Sequence, residues 1–269
     1  MIGPSDKRAH YSSLYTIEML ICCSCGREKT EIVRILIAAG ANVNVSDSMG
    51  FPVIHTAILK GYNEIAKILI QNGCSLAPST WCKSTPLHSA VIASAKKCNN
   101  TELIEYLLMK GVDPNLEDKH GDTPLSHRPS HLQKLGAKLP KQYIDALLVI
   151  VKHLAICDAK KSLINMKNVA AMLQNKALNE YFASCQKELI LMKKTDIGSK
   201  ITYFKLLVGS DNDLYMSVDE PQVQASFQSD NYKHLFPIYH SLLLEKYNRG
   251  LQISDEIDQP SCKKPRLSQ

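Results

Sequence analysis

The sequence predicts an all-α solenoid of about four helix-turn-helix repeats, extended at its C-terminal side by further helices. Three observations carry this. A ten-residue apolar segment recurs along the first half of the chain, a Pro- or Thr-Pro-led element precedes later copies, and the second half keeps helical spacing without the repeat.

The recurring segment is Glu31-Ile32-Val33-Arg34-Ile35-Leu36-Ile37-Ala38-Ala39-Gly40, which returns 33 residues later as Glu64-Ile65-Ala66-Lys67-Ile68-Leu69-Ile70-Gln71-Asn72-Gly73. A third copy, Glu102 to Gly111, is displaced by 38 residues, so five residues are inserted, and the polar stretch 95–100 is where they fall. The second element reads Pro52-Val53-Ile54-His55, then Thr85-Pro86-Leu87-His88, then Thr123-Pro124-Leu125-Ser126. Thr85 and Thr123 suit a helix N-cap, and Pro86 and Pro124 suit the first helical position, where the missing N–H costs nothing. Gly40, Gly73 and Gly111 end each second helix, where a left-handed residue is needed, and Asn44 and Asn115 follow in the turn. On these residues the chain resembles the ankyrin family, whose repeat of about 33 residues is a turn and two antiparallel helices. The resemblance implies that His55 and His88 hydrogen-bond a neighbouring turn, a structural role.

The first copy has only a degenerate lead-in, Leu14 to Glu18, and the second carries Pro52 in place of the capping Thr. The fourth opens at Gly121-Asp122-Thr123-Pro124-Leu125, takes an insert from 127 to 141, and ends on an apolar helix over about 143–156 that closes the stack. The repeat domain is therefore set at 12–159, after an N-terminal segment 1–11. A helical region 160–250 and a flexible tail 251–269 follow it. Within the helical region, Leu178, Tyr181, Phe182, Cys185, Leu189 and Met192 lie three or four apart and predict one amphipathic helix. A second is expected over 234–247, with a loop across the acidic stretch 211–220 between them.

Composition narrows the function. Hydrophobic residues make up 45% and charged residues 22%, the balance of a folded domain. The most apolar run, Ala146 to Val151, stops at Lys152 and His153, far short of a membrane span. The N-terminus lacks the apolar core of a secretory signal, and nine unframed cysteines read as reduced thiols, so a cytoplasmic or nuclear address and no membrane partner are expected. Basic residues exceed acidic ones by 32 to 26, a net charge of +6 that is not gathered into a stripe, which speaks against nucleic acid. No phosphate-binding loop, dinucleotide fingerprint, nucleophile elbow or zincin helix occurs, so no enzyme, catalytic residue or cofactor is expected. Cys22 and Cys25 have CxxC spacing but no second pair, and Pro129 lies between His127 and His131, so neither set is assigned a metal.

What remains is a protein-binding module. Aligning the turns ahead of the second element makes Ser48, Trp81 and Lys119 equivalent, followed by Met49 and His120, then Phe51 and Asp122. The family resemblance implies that these turns, or fingers, line a concave binding face. Met49, Phe51 and Trp81 place large apolar side chains on the tips, and tryptophan is favoured at interface hot spots. The candidate protein-binding residues are Ser48, Met49, Phe51, Trp81, Lys83, Lys119, His120 and Asp122. The C-terminal half is faintly similar to poxvirus and parasitoid-wasp ankyrin proteins. That implies a ubiquitin-ligase adaptor as one alternative, although the polar end lacks a clear apolar helix. A Rel-factor inhibitor resembling inhibitor-of-kappa-B is another. In the tail, Lys263-Lys264-Pro265-Arg266 resembles a nuclear import signal, with an importin as the implied partner.

Overall fold

The computed structural model describes residues 28–46, 50–77, 80–96, 98–128, 139–198 and 201–258. They are helical throughout, with only two isolated β-bridges, Ser46 to Pro52 and Asp196 to Thr202. They divide into two compact units, one made of the chain through Leu154 together with Leu163–Asn179, the other of Ala155–Ser162 and the chain from Glu180.

The first unit is the repeat array. Its helices are α1 (Glu28–Ala38), the pair α2 (Val53–Leu59) and α3 (Asn63–Gln71), and the pair α4 (Pro86–Ala95) and α5 (Thr101–Met109). It also holds the first part of α6 (Lys141–Ala159), all of α7 (Met166–Gln174) and the start of α8 (Lys176–Lys194). Pro86 takes the first position of α4 as the sequence requires. Thr85 donates its backbone N–H to His88 Nδ1 at 3.1 Å. Because an amide can only donate, the His88 proton sits on Nε2, which then donates to the Asp122 carbonyl of the next finger at 3.0 Å. His55 differs. Its Nδ1 pairs with Ser89 Oγ of α4 at 2.8 Å, a helix rather than a turn, and its buried Nε2 has no hydrogen-bond partner among the described residues.

The five-residue insertion does more than lengthen a loop. Relative to α2, α4 continues through residues 93–95, and Asn100 then donates to the Ala90 carbonyl at 3.1 Å to fold the extra chain back. In the fourth repeat, residues 124–126 form a turn, and the closing helix α6 starts earlier and ends later than the apolar run alone indicates. Its Tyr143 hydroxyl donates to the His127 carbonyl at 2.8 Å.

Apolar burial holds the array, with Ile54, Ile58, Leu69, Leu87, Leu103 and Ile104 fully enclosed. Each such side chain contributes about 1.5–3 kcal/mol relative to exposure. The second helices add a ladder of ion pairs along the stack: Arg34 with Glu64 at 3.4 Å, Lys67 with Glu102 at 3.5 Å, and Glu105 with the buried Lys152 of α6 at 2.5 Å. Gly40, Gly73 and Gly111 all adopt positive φ, +86°, +82° and +85°. A Cβ at Gly73 would meet no heavy atom within 4 Å, so only the backbone conformation demands glycine there. Gly73→Val is expected to cost about 1–2 kcal/mol from left-handed strain alone and to lower the melting temperature by several degrees. An unchanged melting curve would contradict this helix ending.

Residues 163–179 extend the array beyond the last motif. Asn165 caps α7 by accepting from the Lys167 N–H, and its own N–H donates to Asn115 Oδ1 at 2.9 Å. The same bond joins an earlier pair of turns, where Ser75 N–H donates to Asn44 Oδ1 at 2.7 Å. Asn168, fully buried, accepts from Thr123 Oγ1 at 2.5 Å and donates to the Pro114 carbonyl at 3.1 Å and Asn115 Oδ1 at 3.0 Å.

The second unit contains most of α8, then α9 (Tyr203–Val208), α10 (Asp211–Val218), α11 (Pro221–Gln228), α12 (Asn231–Leu235) and α13 (His240–Asp258). Cys185, Leu189 and Met192 of α8 are buried as their spacing predicts. Two expectations are corrected here. The acidic stretch is helix α10 and not a loop, because Ser210 and Asp213 form a reciprocal capping box and Leu214 and Val218 are buried. Acidic residues in its first turn also match the positive end of the helix. The helix expected over 234–247 is broken between α12 and α13. Pro237 cannot supply an interior N–H, and the carboxylate of buried Glu188 takes the amides of Ile238 and Tyr239 at 3.0 Å each. An aromatic cluster fills this unit, with Phe227 stacked on Tyr247 at 4.2 Å and Tyr203 edge-on to Phe236 at 4.7 Å.

Candidate protein-binding fingers

Each finger is a tight turn closed by a side chain at its start. In the last, Asp118 Oδ1 accepts the N–H groups of His120 (2.8 Å) and Asp122 (3.0 Å), while the Asp118 N–H donates to the Asp122 carbonyl at 2.8 Å. In the preceding finger Thr80 stands at the equivalent place, and its hydroxyl accepts the Ser84 N–H at 2.9 Å. Asp118 and Thr80 were missed by the sequence reading, although an acceptor five residues before each Thr-Pro pair was visible. Adjacent fingers are joined by the Lys119 N–H donating to the Cys82 carbonyl at 2.8 Å.

These closures leave the tips projecting. Trp81 is 64% exposed. Phe51, half-buried in the finger before it, meets the indole edge-on, with ring centroids 6.4 Å apart at 87°. From the finger after it, the Lys119 ammonium lies 3.2 Å above the indole centroid. Three successive fingers therefore contribute Phe51, Trp81 and Lys119 to one row. An aromatic pair contributes about 0.5–1.5 kcal/mol and an exposed cation–π contact about 0.5–1 kcal/mol, enough to order the tips before any partner arrives.

The other candidates are placed differently. Lys83 is exposed and holds a left-handed φ of 55° just past Trp81. His120 is exposed, and Asp122 is half-buried with its main chain committed to finger closure and to His88. Ser48 and Met49, the tail residues Lys263, Lys264, Pro265 and Arg266, Cys22, Cys25 and His131 lie outside the described residues. Beside Trp81, Cys82 Sγ lies between Ser84 Oγ (3.1 Å) and Thr80 Oγ1 (3.2 Å). Burial pushes the thiol up, but the bonds from Ser84 and Thr80 outweigh it and leave its pKa lowered. Asp118, Asp122 and His127 bring three ligand-type atoms within 4.8 Å of one another. The Asp118 carboxylate, however, is already used to close the finger. Among the described residues, no helix is long and apolar enough to cross a membrane.

The repeat spacing, the left-handed glycines and the linked fingers have their counterpart in family models. Residues 13–80 match a model of ankyrin repeats in three copies, and residues 69–127 match a model of ankyrin repeats in many copies. The chain is an ankyrin-repeat protein. It is 28% identical over 127 residues to the E3 ubiquitin-protein ligase KEG of Arabidopsis thaliana, covering 47% of this chain and 7% of KEG. Human Rabankyrin-5 is 30% identical over 115 residues, 40% of this chain and 10% of Rabankyrin-5. The chain thus spans a tenth or less of these two relatives. The ankyrin repeat protein FPV031 of fowlpox virus is 22% identical over 233 residues, covering 73% of this chain and 67% of FPV031. Ankyrin repeats are a protein–protein interaction module and generally not an enzymatic one, and they point to a protein partner.

Proposed function

We propose that this ankyrin array binds a protein partner through its fingers, with Trp81 as the central anchor and Phe51 and Lys119 beside it. One observation carries the reading. The chain's only tryptophan is held out of the core by two neighbouring fingers, neither of which covers it. An apolar cluster so placed is a solubility liability unless something binds it. Trp81→Ala is expected to weaken capture of the partner at least tenfold while leaving the melting temperature within about 2 °C, since hot-spot truncation costs about 2 kcal/mol or more and the exposed ring holds little of the fold. A large drop in melting temperature, with binding retained by the folded fraction, would contradict the site.

A second reading, substrate adaptor of a ubiquitin ligase, draws support from the extent of the FPV031 match. Residues 1–159 are only 59% of the 269-residue chain, whereas the match covers 73% of it and so continues past the repeats. The likeness to KEG adds nothing to this reading, because it covers so little of that ligase. Purification of the full chain with quantitative mass spectrometry separates the two: cullin components among the captured proteins support the adaptor, and their absence removes it. Import to the nucleus rests on Lys263, Lys264 and Arg266. A fluorescent reporter carrying residues 240–269 is expected to accumulate in nuclei and to lose that accumulation when the three are changed to Ala. Equal distribution of the two would rule the signal out.

A further inference from the structure

The charges of the array are sorted by side. Along the second helices, basic and acidic groups meet each other across successive repeats, as in the pairs of Arg34 with Glu64, Lys67 with Glu102 and Lys152 with Glu105. That side is internally neutralised. On the fingers the opposite holds. Lys83 and Lys119 are exposed on either side of Trp81 in the row, and no carboxylate pairs with either among the described residues. The nearby acids are engaged elsewhere: Asp118 is buried and accepts two backbone amides, and Glu117 is bound by Lys167 and Asn165. Hydrogen bonds from Asn165 and Lys167 also hold the Glu117 carboxyl below its usual range, so it stays charged and paired.

From this arrangement we infer that the finger row takes an acidic protein segment carrying a large apolar anchor, a partner class that rests on the reading of the fingers given above. The anchor packs against the exposed part of the indole and the edge of Phe51. Its flanking carboxylates meet Lys83 and Lys119. An ammonium seated over an aromatic face keeps donors directed away from the ring, so Lys119 can hold the indole and a carboxylate together. A basic segment would bring like charges onto Lys83 and Lys119, and a purely apolar one would leave both cations to be desolvated without a partner.

The test is a displayed library of random 16-residue peptides selected on the full chain in low salt, with Trp81→Ala as the counter-selection. The expected result is a set of Trp81-dependent peptides enriched at least threefold in Asp and Glu and carrying an aromatic or aliphatic residue. Their binding should fall at least tenfold on Lys83→Glu/Lys119→Glu and on raising NaCl from about 50 to 300 mM, beyond which exposed charges are largely screened. Trp81-dependent peptides that are neutral or basic would overturn the acidic partner and leave the finger site standing. If no peptide depends on Trp81, the finger site itself is overturned, and this inference with it.

Discussion

Acidification from pH 7 to about 4.5 is expected to destabilise the repeat array by about 3 kcal/mol through His55 alone. Burial, and next the proximity of His88, lower the His55 pKa from 6.5 to about 4. The folded state therefore binds a proton more weakly than the unfolded chain does. Between pH 6.5 and about 4 the unfolded state holds more protons, so stability rises with pH across that window. The contribution is fully present above pH 6.5 and is lost as pH falls toward 4. A shift of about 2.5 units at about 1.4 kcal/mol per unit gives the size. His88 works in the same direction. Burial lowers its pKa against the opposing pull of the Asp122 carbonyl, and protonating Nδ1 would deprive the Thr85 amide of its acceptor. Chemical denaturation of the wild type and of His55→Gln at pH 7.5 and 4.5 checks this. The wild type should lose about 2–3 kcal/mol more than the variant, and equal losses would mean that His55 is not the titrating group.

Asn168→Ala is the second large effect, expected at about 3 kcal/mol and read as a lower denaturation midpoint. The side chain is fully buried and joins Thr123, Pro114 and Asn115, all in the last finger and its approach. Removing it leaves a buried carbonyl without its donor and opens a void where the amide stood. Each unsatisfied buried group costs about 1–3 kcal/mol, and the void adds to that. Asn165→Ala, which removes a more exposed cap, should cost only about 1 kcal/mol. If the two substitutions cost the same, residues 163–179 do not close the array as described.

The fate of these residues shows what the sequence could and could not convey. The repeat was legible because each copy must solve the same local problem: a left-handed end at Gly73 and Gly111, a proline-led start at Pro86, an apolar stripe between. Equivalence of the turns was enough to align Phe51, Trp81 and Lys119, since residues at one repeat position stack in space. Asn168 was not legible. It is a lone polar residue in a segment without the motif, and its partners lie 45 to 54 residues away. The break at Pro237 was hidden for a related reason, because the Glu188 carboxylate that stabilises it comes from 50 residues earlier on α8. In α10 the acidic residues suggested a loop by composition, whereas Ser210 and Asp213 use them as a helix start. Local periodicity thus predicted the elements that repeat, and tertiary hydrogen bonds decided those that do not.

The central claim is that a partner docks on the finger tips, and site-specific photo-crosslinking tests it most directly. A benzoylphenylalanine introduced at position 81 is compared with the same group at Glu64 and at Glu102, both exposed on the second helices. The account predicts one protein adduct formed from position 81 and absent from positions 64 and 102. Adduct formation from positions 64 or 102, with none from 81, would contradict it.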